Sequence, residues 1–167
     1  SLTESCRPAP IVEGAEFFQQ PEGGWMMGRR AAREMAMKLL YQMEIQKDDI
    51  ESQMKLFFEH NPVSENDTSY IRDIIYGVYR NSEYISDIIQ KHSRGWKITR
   101  ISKIDLSILR LSIYEICFRD DIPFSVSVNE AVELAKKYSS EEAGSFINGI
   151  LSRLSDSRTG AGIENGC

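Results

Sequence analysis

The stretch Thr99–Arg119, TRISKIDLSILRLSIYEICFR, places apolar side chains around nearly the whole circumference of a helix. Its apolar residues include Ile101, Ile104, Leu106, Ile108, Leu109, Leu111, Ile113 and Ile116. A helix that is apolar on all sides has to be covered on all sides, so it belongs at the centre of a helical bundle. The stretch therefore predicts the central helix of an all-α fold.

The segments on both sides of this stretch repeat apolar residues with the period of an amphipathic helix. The predicted helices cover residues 29–46, 50–60, 68–81, 82–92, 127–138 and 140–154, which with 99–119 make seven. The alternation typical of a strand never lasts more than a few residues, as in the short run 124–128. These patterns favour a fold without a sheet.

The two ends of the chain lack an apolar period. Residues 1–27 are punctuated by prolines and glycines, so we expect a disordered leader, which is non-native if translation starts at Met26 or Met27. Residues 156–167 are rich in glycine and are expected to form a disordered tail. The folded domain should span residues 28–155.

Composition and charge limit the classes of function. Apolar residues make up 41 % of the chain, enough to bury a core. Neither a membrane-spanning run nor a secretory signal is recognisable, so we expect a cytoplasmic protein with no membrane contact. The two histidines and three cysteines lack the spacing of metal ligands, so no metal or other cofactor is expected. A formal net charge of −5 is unusual for a nucleic-acid-binding protein unless basic residues are concentrated locally.

Basic residues are concentrated in the first predicted helix. On a helical wheel, its polar half carries four cations and one carboxylate, a net charge of +3 that leaves −8 for the rest of the chain. The core stripe is Ala32, Met35, Ala36, Leu39 and Met43, and the polar half is Arg29, Arg30, Arg33, Glu34, Met37, Lys38 and Tyr41. Guanidinium groups pair with phosphates, and tyrosine rings stack on bases. The polar half is therefore a candidate RNA-binding surface, with a solvated face that binds nothing as the alternative.

Four sets of motifs, in chain order, resemble the NusB family of transcription antitermination factors. The first is the arginine-rich opening RRAAREMA (29–36) with Leu40-Tyr41. The others are YIRD (70–73) with Gly77-Val78, DLSILRL (105–111) with Tyr114-Glu115, and the closing set Ile122-Pro123, VNEAVELAK (128–136) and FINGIL (146–151). Each motif alone is weakly specific, but the ordered set spans nearly all of residues 28–155.

The resemblance implies a seven-helix NusB-like fold made of two stacked three-helix bundles. It also implies that the chain works with NusE, a small-subunit ribosomal protein that doubles as an elongation factor. The pair would hold the single-stranded boxA segment of nascent RNA, notably in ribosomal RNA operons. Bound there, it would help the RNA polymerase elongation complex to read through terminators. This role involves no catalysed reaction and no cofactor.

The resemblance also assigns residues, motif by motif. RNA would be bound by Arg29, Arg30, Arg33 and Tyr41 in the first helix and by Glu142 and Phe146 in the last. Asp105, on the central helix, is the candidate for NusE binding. Some relatives carry a longer basic cluster where this chain has Gly28, so the two patterns differ there. Phe146 also stands four residues before Ile150, the spacing of two core residues on one helix face.

Two alternatives remain open at the level of the sequence. The first is a NusB-like helical interaction module with no RNA role. The second is an RNA-binding accessory domain related to RNA cytosine methyltransferases, to some of which a NusB-like domain is fused. Methyl transfer needs a cofactor domain with a glycine-rich strand–turn–helix, and no such pattern is present. The patterns do not decide between a monomer and a homodimer.

Overall fold

The computed structural model describes residues 28–160. Within this range lie seven α-helices and no strand. The helices are α1 (Arg29–Ile45), α2 (Ile50–His60), α3 (Glu65–Arg80), α4 (Ser82–His92), α5 (Lys103–Phe118), α6 (Phe124–Tyr138) and α7 (Glu141–Gly160). A 3₁₀ turn, Ile98–Arg100, precedes α5. The prediction of an all-α fold with seven helices is confirmed.

Helix α3 begins earlier than predicted, at Glu65, because a local capping arrangement precedes it. The Asp67 backbone N–H donates to Ser64 Oγ at 3.2 Å, and the Ser64 hydroxyl donates to Asp67 Oδ2 at 2.9 Å. The first bond satisfies a backbone donor that the first turn of a helix leaves without a partner, and the second holds the capping hydroxyl in place. The capping residues therefore determine this boundary, although the apolar period starts only later.

The larger remaining differences between predicted and observed helix boundaries concern α5, α6 and α7. Helix α5 begins at Lys103 after its cap Ser102, and α6 begins at Phe124 directly after Pro123. Helix α7 extends to Gly160, past the end predicted at 154. The predicted leader, 1–27, lies outside the described residues, and so does the end of the predicted tail, 161–167.

Helix α5 is the buried helix that its apolar sequence predicts. Every residue from Leu106 to Cys117 is buried except Arg110. The two buried serines within this span bond to the preceding turn: the Ser107 hydroxyl donates to the Lys103 carbonyl at 2.7 Å and the Ser112 hydroxyl to the Ile108 carbonyl at 2.6 Å. Satisfied polar groups of this kind can be buried at low cost, so they do not interrupt the core.

The described chain divides into two compact units, residues 28–72 and 73–160. In the first unit, α1 packs against α2. The connection between them is held by Gln53, whose Nε2 donates to the carbonyls of Gln46 at 2.9 Å and Asp48 at 3.0 Å. Asp49 then caps α2 by accepting the Ser52 backbone N–H at 3.0 Å. These bonds fix where α1 ends and α2 starts.

In the second unit, α6 and α7 share the most extensive helix–helix contact, and α5 packs against α4, α6 and α7. The end of α3 approaches α5 so closely that a β-carbon on Gly77 would lie 2.1 Å from the Tyr114 ring. The Tyr114 hydroxyl donates to Asp73 Oδ1 at 2.9 Å, and Arg119 joins Asp73 to Asp121 at 2.9 and 2.7 Å. Burial and the bond to Asp73 raise the pKa of Tyr114 to about 12, so the hydroxyl remains a donor at neutral pH.

None of the helices between residues 28 and 160 combines the length and the apolar character that a membrane span requires.

Candidate nucleic-acid interface

The N-terminal turn of α1 is unusually rich in positive charge. Gly28 precedes the helix with an extended backbone and offers no side-chain cap. The first turn holds Arg29 and Arg30 and no acidic residue, whereas acidic residues are favoured at this end of the helix dipole. Two cations here oppose the dipole at a cost of roughly 0.3–1 kcal/mol each. A role outside the helix itself would explain their presence.

Arg29 is held against an aromatic ring. Its guanidinium carbon lies 4.2 Å from the centroid of the Tyr70 ring, which is itself buried. This distance is typical of a cation–π interaction. The Nη1 atom is enclosed and has no hydrogen-bond partner among the described residues. Arg29 is therefore oriented by the protein before any ligand arrives, and one of its donors remains unused.

Arg33 does not lie where the helical wheel predicts. The side chain is only 3 % exposed, and Met37, on the same predicted polar half, is 2 % exposed. The expectation that Arg33 faces solvent is wrong, because α1 is covered on more than its predicted core stripe; Leu40 is also buried. Arg33 also interacts with other groups of the protein. A phosphate outside the protein cannot reach it in this conformation.

The remaining residues of the predicted polar half are accessible to different degrees. Arg30 is exposed, and Tyr41 is half-buried. Lys38 forms an ion pair with Glu34 at 3.2 Å, one helical turn away. With Lys38 paired to a carboxylate and Arg33 buried, Arg29 and Arg30 in the first turn remain the candidate basic residues of α1. The structure thus narrows the basic surface from the whole polar half to the first turn of the helix.

Glu142 and Phe146 lie on α7, in the second unit. Glu142 is exposed in the first turn, where its charge also complements the helix dipole. Phe146 is half-buried, so it is not the fully enclosed core residue that its spacing to Ile150 would suggest. Its ring meets the Trp96 ring at a centroid distance of 6.4 Å and an interplanar angle of 64°.

Trp96 was not singled out by the sequence analysis. It lies in residues 90–100, QKHSRGWKITR, which contain four lysines and arginines and no carboxylate. An aromatic residue inside a basic run is a signal of nucleic-acid binding. This signal is visible in the sequence, but it lies in a connection without an apolar period, where a pattern of helices predicts no site.

Asp105 lies in the first turn of α5. Its backbone N–H donates to Ser102 Oγ at 3.1 Å, which completes the helix cap. Its carboxylate oxygen Oδ1 is enclosed and has no hydrogen-bond partner in the part of the chain that the structure describes. An acceptor left without a donor is costly when buried, and the rest of the residue is half-buried.

No metal centre is evident between residues 28 and 160, where no three His, Cys, Asp or Glu side chains come together in a group that could hold an ion.

Comparisons with known proteins place the chain in a family. Residues 30–156 match the model of the NusB family. The transcription antitermination protein NusB of Acetivibrio thermocellus is 62 % identical over 128 residues, which cover 77 % of this chain and 88 % of that protein. Its name describes a transcription factor, in agreement with the prediction that no reaction is catalysed.

Two solved structures share the fold. NusB of T. maritima superposes with a TM-score of 0.71 at 33 % identity, over 78 % of this chain and 92 % of that one. A crystal structure of the antitermination factors NusB and NusE in complex with double-stranded RNA contains a chain with a TM-score of 0.71 and 28 % identity, over 77 % of this chain and 96 % of that one. With the family model and the close relative, these similarities establish that this chain belongs to the NusB family of transcription antitermination proteins.

Proposed function

We propose that this chain is a cytoplasmic antitermination factor that binds single-stranded boxA-type RNA together with NusE and thereby helps RNA polymerase to read through terminators. Family membership supports the role in antitermination. A structural relative is found with NusE and RNA, which supports the choice of partners. The observation on this chain that carries the proposal is the first turn of α1, which holds two arginines and no acidic residue and so places positive charge against the helix dipole.

The burial of each α1 residue suggests a different role. Arg30 is exposed and can form a bidentate contact with a phosphate. Arg29, oriented by Tyr70, adds positive charge at a fixed place. Tyr41 is accessible enough to stack on a base. Arg33 is buried, so we propose that it supports α1 from within and does not contact RNA directly.

The residues of the second unit complete the proposal. Phe146 would stack on a base, and Glu142 would accept a hydrogen bond from an exocyclic amino group, as carboxylates do with cytosine N4. Asp105, half-buried in the first turn of α5, would accept a donor from NusE with its carboxylate. Lysine and arginine side chains of a protein partner are donors of this kind.

Anisotropy of a labelled boxA-type RNA, titrated with and without NusE, tests this proposal. The double variant Arg29→Ala/Arg30→Ala should bind roughly a hundredfold more weakly or worse, because each of two charge-assisted hydrogen bonds contributes about 1.5–3 kcal/mol and about 1.4 kcal/mol is a factor of ten in affinity. Lys55→Ala is the matched control, since Lys55 is an exposed cation of the same unit on α2. It should bind like the wild type.

Two results would overturn the proposal. One is wild-type affinity of the double arginine variant, which would leave α1 as a solvated face. The other is the absence of any RNA binding by the wild-type chain, alone or with NusE, which would favour a helical interaction module without an RNA role.

A further inference from the structure

The connection between α4 and α5 concentrates positive charge in an otherwise acidic chain. Its cations Lys91, Arg94, Lys97 and Arg100 are all exposed, and no carboxylate lies between residues 90 and 100. The whole chain carries a formal net charge of −5, so this segment is a local exception. Like-charged side chains repel one another, and a polyanion relieves that repulsion on binding.

Trp96 stands in the middle of these cations. It is 54 % exposed, the highest value among the large apolar side chains in the described part of the molecule. A single exposed apolar side chain is ordinary on protein surfaces. The position of Trp96 is more specific, because its ring also meets Phe146 on α7 in a tilted edge-to-face contact. The two rings form one aromatic surface bordered by cations.

The backbone around Trp96 is fixed by hydrogen bonds. The Trp96 carbonyl accepts from Gln90 Nε2 at 3.0 Å and lies 2.8 Å from the buried Ser93 hydroxyl. The Trp96 N–H donates to the Ser93 carbonyl at 3.1 Å, and the Ile98 N–H donates to Gln90 Oε1 at 3.1 Å.

The same connection adopts a conformation that few residues tolerate. Arg94 and Gly95 have φ angles of 42° and 85°, in the left-handed region. From α7, the Arg153 guanidinium donates to the His92 carbonyl at the end of α4. The connection is therefore an ordered turn that holds the indole in an exposed position, so stacking on it costs little additional conformational entropy.

We propose that Trp96 is a base-stacking residue of a second RNA contact in this protein, formed by residues 91–100 and Phe146. One base of a single-stranded RNA stacks on the indole, and neighbouring phosphates pair with the exposed cations of the connection. Aromatic rings flanked by cations bind single strands in this way, because every base has a stacking face and every nucleotide carries a phosphate. The inference rests on the RNA binding proposed above and extends the RNA surface from Phe146 to the connection between α4 and α5.

Tryptophan fluorescence tests the stacking directly. The chain contains two tryptophans, Trp25 and Trp96, so the variant Trp25→Phe leaves Trp96 as the only reporter. Titration of this variant, in complex with NusE, with a single-stranded boxA-type RNA should quench the emission of Trp96. The quenching should saturate at the RNA concentration at which anisotropy saturates. Saturated binding without quenching would overturn the inference.

Affinity provides the second readout. Trp96→Ala should weaken RNA binding on the order of tenfold, as expected for the loss of one stacked base, with an unchanged salt dependence. Trp96→Phe should retain most of the affinity, because it keeps a ring. The matched control is Tyr84→Ala, an exposed aromatic residue of the same unit that contacts Phe118 and lies outside the basic segment. It should bind RNA normally.

The cations give an independent prediction. Lys97→Gln/Arg100→Gln should flatten the plot of log affinity against log salt by about 1.4, at roughly 0.7 per phosphate contact with a single strand. The pair Lys136→Gln/Lys137→Gln, exposed on α6, is the control and should leave the slope unchanged. If Trp96→Ala and Lys97→Gln/Arg100→Gln both bind like the wild type while Arg29→Ala/Arg30→Ala does not, the second contact is refuted and the proposed function stands. If the wild-type chain binds no RNA, both fail.

Discussion

The substitution Arg33→Ala distinguishes most clearly between the burial of Arg33 in the structure and the solvent exposure that the helical wheel predicts. Arg33 is 3 % exposed, so its aliphatic stem is buried along with its guanidinium group. Substitution by alanine removes the two methylenes Cγ and Cδ, and at about 0.8 kcal/mol per buried methylene this loss should lower the free energy of unfolding by roughly 1.6 kcal/mol. Loss of the interaction that Arg33 makes within the protein raises the total to about 2 kcal/mol or more. For a chain of this length, about 2 kcal/mol corresponds to a decrease in melting temperature of roughly 4–8 °C.

Thermal unfolding followed by circular dichroism measures this decrease, and RNA anisotropy at room temperature, where the variant remains folded, measures binding. Arg30→Ala is the matched control, because Arg30 is exposed on the same helix. Arg30→Ala should lower RNA affinity and leave the melting temperature nearly unchanged, whereas Arg33→Ala should do the reverse. An unchanged melting temperature for Arg33→Ala, together with a weaker salt dependence of RNA binding, would refute the reasoning and restore Arg33 as a direct phosphate contact.

Three further predictions concern the second unit. Leu109→Ala, in the centre of α5, should cost about 2–5 kcal/mol in chemical denaturation, and a loss below about 1 kcal/mol would contradict its core position. Gly77→Ala should lower the melting temperature, because the β-carbon of the alanine would lie 2.1 Å from the Tyr114 ring, which a hydrogen bond to Asp73 holds in place. An unchanged melting temperature would mean that the ring moves freely. The Tyr114 pKa of about 12 lies above the unfolded value of 10, so stability present below pH 10 should be lost as pH rises toward 12. Melting curves should therefore converge for the wild type and Tyr114→Phe over that range, and a constant difference would contradict the shift.

The sequence predicts helices best where burial is one-sided or complete. Helix α5 is recognisable because apolar residues fill its whole circumference, and only full burial accommodates such a helix. Helix α3 starts earlier than its apolar period indicates, because Ser64 and Asp67 define the first turn. The capping pair is visible in the sequence, and it would have predicted the start of α3 at Glu65.

The candidate site was predicted less well, for two physical reasons. A helical wheel assigns one buried arc, whereas the burial of Arg33 and Met37 depends on neighbours that the local sequence does not specify. Trp96 was not predicted as a site residue because it lies in a connection without an apolar period. Its exposure results from hydrogen bonds that Gln90 and Ser93 make with its backbone. Side-chain position at an interface is thus a tertiary property, even where residue type and charge already indicate nucleic acid.

The salt dependence of RNA binding tests the central claim, that the first turn of α1 binds RNA phosphates, most directly. Affinity of the complex with NusE for a boxA-type RNA is measured over a series of salt concentrations for the wild type and for Arg29→Ala/Arg30→Ala. Two lost phosphate contacts should flatten the slope of log affinity against log salt by about 1.4, since each contributes roughly 0.7 with a single strand. The same slope and the same affinity for the two proteins at every salt concentration would contradict the claim.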